Sequence, residues 1–181
     1  MAGGADRLVA FFLGARDSEG RTLQEILEWG DETLEDVHDY VQWVFPTRRA
    51  SDFNPDAPVV TDETVAQFAR EPVLRSRLVL VLRRMLRFYG FELREEGGEP
   101  VVRRGPGWAE RSGWVSPGDH NLLRITRILD SLSTLGLAGH ARAFLDALLE
   151  LEQGDEGRAI GPRTFRFWRE AVSAPPRSPG R

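Results

Sequence analysis

Apolar residues recur along this chain every three or four positions almost from end to end, the spacing of helices that bury one face. Cap and turn residues divide the pattern into segments. Residues 6–13 make a short apolar-rich helix. Thr22 followed by Glu25 is a capping box, which starts a helix over 23–29. Gly30 interrupts, Asp31 caps a helix over 32–45, and Pro46 closes it. Thr61 opens a helix over 62–70. Pro72 stands in the tolerant first turn of a longer helix, 73–89, with Gly90 as its left-handed stop. Further helices are expected over 119–135, ended by Gly136, over 138–153 and over 163–172.

Three stretches break this pattern. PTRRASDFNPDAPVV, residues 46–60, reads as an extended loop, because its prolines fix φ and remove donors. FELREEGGEPVVRR, residues 91–104, holds two strand-like runs around Gly97–Gly98 and reads as a β-hairpin. GPGWAERSGWVSPGD, residues 105–119, is a punctuated loop carrying Trp108 and Trp114. The expected fold is mainly α: a single-domain multi-helix bundle of about seven or eight helices with one small β-hairpin. It spans residues 1–172, with a disordered tail at 173–181.

The helical faces nominate residues. On a continuous helix over 32–45, Leu34, Val37, Val41, Val44 and Phe45 share one arc, with His38 at its centre and Tyr40 at its border. Glu35, Asp39 and Gln42 lie opposite, and Trp43 falls among them. His38 then points into the core as a neutral, hydrogen-bonded imidazole. Trp43 needs a cover, for which the 46–60 loop is the candidate, or it meets a partner. On the 119–135 helix, Leu122, Ile125, Ile128, Leu129, Leu132 and Leu135 make the core face. Asn121 lies inside that face and is expected to tie down a loop such as 108–117.

His120, Arg124, Arg127 and Ser131 share another face of that helix. A basic stripe opening at a helix N-terminus suits a carboxylate or a phosphate. The structural alternative pairs Arg124 and Arg127 with acids of the first half, such as Glu35 and Asp39. On the 73–89 helix, Leu74, Leu78, Val81, Leu82, Met85, Phe88 and Tyr89 bury together, while Arg83 and Arg87 share a different face.

Composition bounds the function. At 181 residues, 41% hydrophobic and 29% charged, the chain can bury a core. The absence of cysteine excludes disulfides, thiolate metal sites and Cys nucleophiles. All 24 basic residues are Arg. The longest apolar run, 78–82, falls far short of the roughly 18–20 residues that span a bilayer. No signal pattern opens the chain, so a cytoplasmic setting is expected. The net charge of −4 hides an asymmetry. Residues 1–72 hold 6 Arg against 15 acids, a charge of −9, and residues 73–181 hold 18 against 13, a charge of +5. Internal pairing of the halves and a basic surface for an anionic partner are both consistent with it.

Familiar catalytic patterns are missing. There is no Gly-rich phosphate loop, no H-E-x-x-H, no G-x-S-x-G and no zinc-ligand cluster. A metal site would have to join His38, His120 and His140 across distant positions. No cofactor, metal or catalytic residue is assigned. Nucleic acid is not expected, because Arg83 and Arg87 come without aromatic interleaving or a recognised motif.

Four motifs in order, LEWGDETLEDVHDYVQWVFP, SDFNPDAP, FYGF and HNLLRITRILDSLSTLGL, resemble the conserved region of the opioid growth factor receptor family, over residues 8–151. The resemblance implies that family's fold and ancestry. From the animal members it implies a receptor for an enkephalin-type opioid growth factor, associated with the nuclear envelope and acting on cell proliferation. Those members are unrelated to the seven-helix opioid receptors, and the family offers no catalytic residues to carry over. The peptide-repeat tail of some animal members is absent from this sequence, and a chain free of Cys and Lys looks like a bacterial member.

The expected function is a non-enzymatic, receptor-like module binding a peptide or a small anionic ligand. Its candidate contacts are Tyr40, Gln42, Trp43, Asn54 in the 51–58 loop, Trp114, His120, Arg124 and Arg127. An aromatic wall beside a basic face suits a peptide's aromatic side chain and its carboxylate. The alternative is an unrecognised enzyme, or an anion- or nucleotide-binding protein using the His120, Arg124 and Arg127 stripe. A protein partner is compatible with either.

Overall fold

The computed structural model describes residues 6–51 and 54–173. Its contacts gather into two compact units, Met1–Val81 and Leu82–Arg181. Among the described residues are eleven α-helices, two 3-10 helices and one two-stranded sheet. The fold is mainly α with a single hairpin. The expected tail lies outside the described residues beyond Ser173, which closes the last helix.

In the first unit, the Asp6 carboxylate accepts from the amides of Leu8 and Val9 and starts α1 (Arg7–Phe12). The Thr22–Glu25 capping box forms and starts α2 (Leu23–Leu27). Gly30, not Asp31, is the N-cap of α3 (Asp31–Asp36). That helix stops early. Val37 is extended at φ −87° and ψ 129°, and the chain resumes as the single turn α4 (Val41–Val44). Thr61 and Thr64 cap α5 (Asp62–Arg70) reciprocally, and Pro72 opens α6 (Pro72–Phe88). The core joins α1, α4 and α5 through rings: Phe11 lies 5.3 Å from Trp43, and Phe12 lies 5.2 Å from Phe68.

The second unit opens on the end of α6. Gly90, at φ +87°, ends the helix and turns the chain into β1 (Phe91–Glu96). β1 pairs antiparallel with β2 (Glu99–Arg104), from Phe91 opposite Arg104 to Glu96 opposite Glu99. Gly97 and Gly98, at φ +61° and +86°, make the two-residue turn whose twist matches the strands. The segment expected as a loop instead coils into α7 (Trp108–Arg111) and a 3-10 turn over Ser112–Trp114. Asp119 caps α8 (His120–Thr134). Then come α9 (Ala138–Leu149), a 3-10 turn over Glu150–Gln153, α10 (Asp155–Ile160) and α11 (Pro162–Ser173). α8 packs on α9 and α11, and β2 packs on α9. The expected core face of α8 is buried throughout. The Trp168 indole donates to the Leu122 carbonyl at 3.2 Å, tying α11 to α8.

Candidate functional site

The break after Asp36 moves His38, Gln42 and Trp43 off their expected faces, while Leu34, Val41, Val44 and Phe45 are buried as expected. His38 is exposed and Trp43 is 1% exposed. A continuous helix keeps every side chain in phase at about 100° per residue. The non-helical stretch 37–40, which opens on the extended Val37, discards that phase, so the projection of His38 into the core fails. Local bonds hold the break. Arg21 donates to Asp17 at 2.8 Å and to Asp39 at 2.7 Å. Burial pulls the Arg21 pKa down, but the bonds to Asp39 and Asp17 outweigh it and hold it above its ordinary value. The Tyr40 hydroxyl donates to the Leu34 carbonyl at 3.2 Å, and the Asn54 amide donates to the Asp39 carbonyl at 3.3 Å. The Gln42 amide lies between the Ser51 hydroxyl, 3.4 Å away, and the carbonyls of His38 and Asp39, at 3.3 and 2.9 Å.

Tyr40, Gln42, Trp43 and Asn54 are therefore neighbours in the first unit, but only Asn54 keeps appreciable exposure. Trp43 does have a cover. It includes α1: Phe11 packs on the ring and the Arg7 guanidinium stands 5.1 Å from its centroid.

Trp114, His120, Arg124 and Arg127 lie in the second unit. Trp114 is buried, and its indole donates to the Tyr89 carbonyl at 3.1 Å. Asn121 is 1% exposed, and its side-chain oxygen accepts from the Tyr89 hydroxyl at 3.2 Å and from Arg124 at 3.3 Å. Asn121 thus ties to Tyr89, whose carbonyl in turn holds Trp114 of the 108–117 segment. Arg124 and Ser131 are buried, so half of the basic stripe faces inward. His120 and Arg127 are half-buried. Burial lowers the Arg127 pKa to about 10 against the opposing pull of Asp130, which still leaves the guanidinium charged at neutral pH.

A concave feature of the second unit lies elsewhere. A pocket of about 470 Å³ is lined by Arg83 and Arg87 of α6, the Gly90–Leu93 turn and strand, the Gly105–Pro106–Gly107 loop, and Arg111 of α7. Arg83 donates to the Leu93 carbonyl at 2.9 Å. The amide of Gly105 donates to the Gly90 carbonyl at 2.8 Å, closing the loop against the helix stop. A Cβ on Gly107 would overlap the Arg111 guanidinium, so that side chain occupies the space glycine leaves. Glu92, the lining acid, accepts from Arg94 at 2.9 Å.

In the sequence Arg83 and Arg87 are a shared face without a purpose, and Arg111 is not singled out at all. The one available signal is its place four residues after Gly107 in a segment punctuated by glycine and proline, which reads equally well as bare loop.

Chemically the pocket offers guanidinium donors and no nucleophile–base pair. Among the described residues no group of three or more His, Asp or Glu side chains could hold a metal, and no helix is long and apolar enough to cross a membrane. These features define a mainly α fold that bears an arginine-lined pocket. The chain belongs to the opioid growth factor receptor family, whose conserved region matches residues 15–154. It is 38% identical to the opioid growth factor receptor of Rattus norvegicus over 134 residues, covering 72% of this chain and 23% of that protein. It is 39% identical to the opioid growth factor receptor of Homo sapiens over 137 residues, 72% of this chain and 20% of that one. Opioid growth factor receptor-like protein 1 of Xenopus tropicalis is 39% identical over 121 residues, 65% of this chain and 23% of its own length. The chain thus spans less than a quarter of the length of these relatives. No solved structure matches it.

Proposed function

We propose that this chain is a ligand-binding module without chemistry of its own, taking a peptide or small molecule through an anionic group. The observation that carries the reading is the second-unit pocket with Arg83, Arg87 and Arg111 in its wall. Its volume of about 470 Å³ lies in the range of small-ligand sites. Guanidinium groups recognise carboxylates and phosphates by paired hydrogen bonds. The receptor names of the relatives support binding as the class of activity. Of the residues nominated from sequence, His120 and Arg127 of the second unit and Asn54 of the first keep exposure, whereas Tyr40, Gln42, Trp43, Trp114 and Arg124 are buried.

Calorimetric titration with acidic, neutral and basic short peptides tests the reading, with the opioid growth factor peptide that gives the relatives their name as one arm. Acidic ligands are expected to bind, and Arg87→Ala with Arg111→Ala is expected to weaken them by about tenfold or more while the melting temperature stays within a few degrees. Binding that ignores both substitutions, or no binding by any ligand, would sink the proposal.

A further inference from the structure

We propose that the arginine-lined pocket is a phosphoryl site, selective for the dianion of a phosphate monoester. This rests on the binding-module reading above and adds the chemistry of the ligand. The first ground is charge. Arg83, Arg87 and Arg111 line the same pocket, and the acid among them, Glu92, is engaged by Arg94 through both Nε and Nη2, at 3.3 and 2.9 Å. The lining thus holds three Arg against one Glu, an excess of positive charge that a doubly charged phosphate matches better than a single carboxylate does.

The second ground is placement. Arg83 and Arg87 stand one helical turn apart, an arrangement of like charges that destabilises a helix unless an anion offsets it. Arg83 is anchored by the Leu93 carbonyl. The Arg87 guanidinium is exposed and makes no hydrogen bond or ion pair among the described residues. Its position in the last turn of α6 complements the helix dipole. That bland role does not explain why Arg111, from a different element, enters the same wall.

The third ground is preorganisation. Arg111 lies along Gly107 in the space a Cβ would take, and a Cβ on Gly105 would stand 2.9 Å from the Glu92 side chain. The two glycines let the loop close over both side chains, so the guanidinium is positioned before a ligand arrives. A concave site of this size fits a phosphate and the atoms next to it, unlike the flat face of a membrane.

The test is calorimetry at fixed salt with inorganic phosphate, phenyl phosphate, phenyl sulfate, benzoate, and a phosphoserine heptapeptide beside its unphosphorylated twin. Phenyl phosphate or the phosphopeptide is expected to bind at least about tenfold more tightly than the sulfate, the benzoate and the unmodified peptide. A preference for the phosphopeptide over phenyl phosphate assigns the phosphate to a modified side chain, and the reverse assigns it to a small soluble molecule; both support the site. Arg87→Gln and Arg111→Gln are each expected to weaken phosphate binding about tenfold or more. Gly107→Ala separates position from charge: φ −87° accepts alanine, the circular dichroism melt should hold, and affinity should fall as Arg111 is displaced. Equal affinity for phosphate, sulfate and carboxylate overturns the phosphoryl assignment and leaves the binding-module reading standing. Phosphate binding untouched by the three substitutions overturns it too, as does binding to phosphoinositide vesicles alone. No binding of any anion removes both.

Discussion

The Tyr89 hydroxyl donates to the Asn121 side chain at 3.2 Å, between two residues that are 0% and 1% exposed. The same Asn121 oxygen also accepts from Arg124, while the Tyr89 carbonyl accepts from the Trp114 indole. Asn121 therefore serves two buried donors at once. Asn121→Ala is expected to lower unfolding free energy by about 2–3 kcal/mol, because both donors lose an acceptor. Tyr89→Phe, which leaves the bond to Arg124, is expected to cost about 1 kcal/mol. Urea denaturation measures both, and equal losses would show that the bond to Arg124 contributes nothing.

Trp43 and His38 exchange the roles their spacing suggests, and mutation reads this directly. Trp43→Ala empties a site between Phe11 and the surrounding core, so a loss of about 3–5 kcal/mol is expected. His38→Ala removes an exposed side chain and is expected to cost far less. A thermal melt in which His38→Ala is the more damaging change would contradict the burial of Trp43 and the exposure of His38.

Gly90 and Gly98 share nearly the same left-handed backbone, at φ +87° and +86°, in different surroundings. A Cβ on Gly98 meets nothing within 4 Å, whereas one on Gly90 stands 3.0 Å from the Trp108 backbone. Gly98→Ala is expected to cost about 1–2 kcal/mol from conformation alone. Gly90→Ala adds a steric clash that backbone cannot easily relieve, for about 3 kcal/mol or more in total. Similar denaturation midpoints for the two variants would remove the case for tight packing at Gly90.

His140 gives a pH signature. Burial, and secondly the nearby charge of Arg83, hold its imidazole below the ordinary value of 6.5. The unfolded chain therefore takes up the proton first. The stability contribution is fully present above pH 6.5 and is lost as pH falls below that value toward the lower folded pKa. His140→Gln should flatten the decline of stability in that window relative to the unmodified chain. Parallel pH profiles for the two proteins would show that His140 titrates alike in both states.

Most of the fold is legible in the sequence because its punctuation is local. Thr22 with Glu25, Thr61, Pro72, Gly90, Gly97–Gly98 and Gly136 all sit where cap and turn chemistry places them. Periodicity locates the core of α8 for the same reason: within one unbroken helix, spacing is orientation. The site is far less legible. Its wall comes from α6, β1, the 105–107 loop and α7, and only folding brings those residues together. The sequence also carries no mark at Val37, whose extended backbone is imposed by Arg21, Tyr40 and Asn54 acting on the segments beside it. α7 and α10 read as loop because each is barely one or two turns long, too short for periodicity to register.

The extended residue at Val37 also bears on any attempt to imitate this signature outside the protein. A synthetic peptide covering residues 31–45, coaxed into a continuous helix by solvent or stapling, would display His38 beside Leu34 and Val41 and carry Trp43 on its opposite flank. The folded chain presents neither surface in that form. Antibodies or inhibitors raised against such a helix would be shaped to an epitope that the native protein lacks, however faithfully the peptide copied its letters.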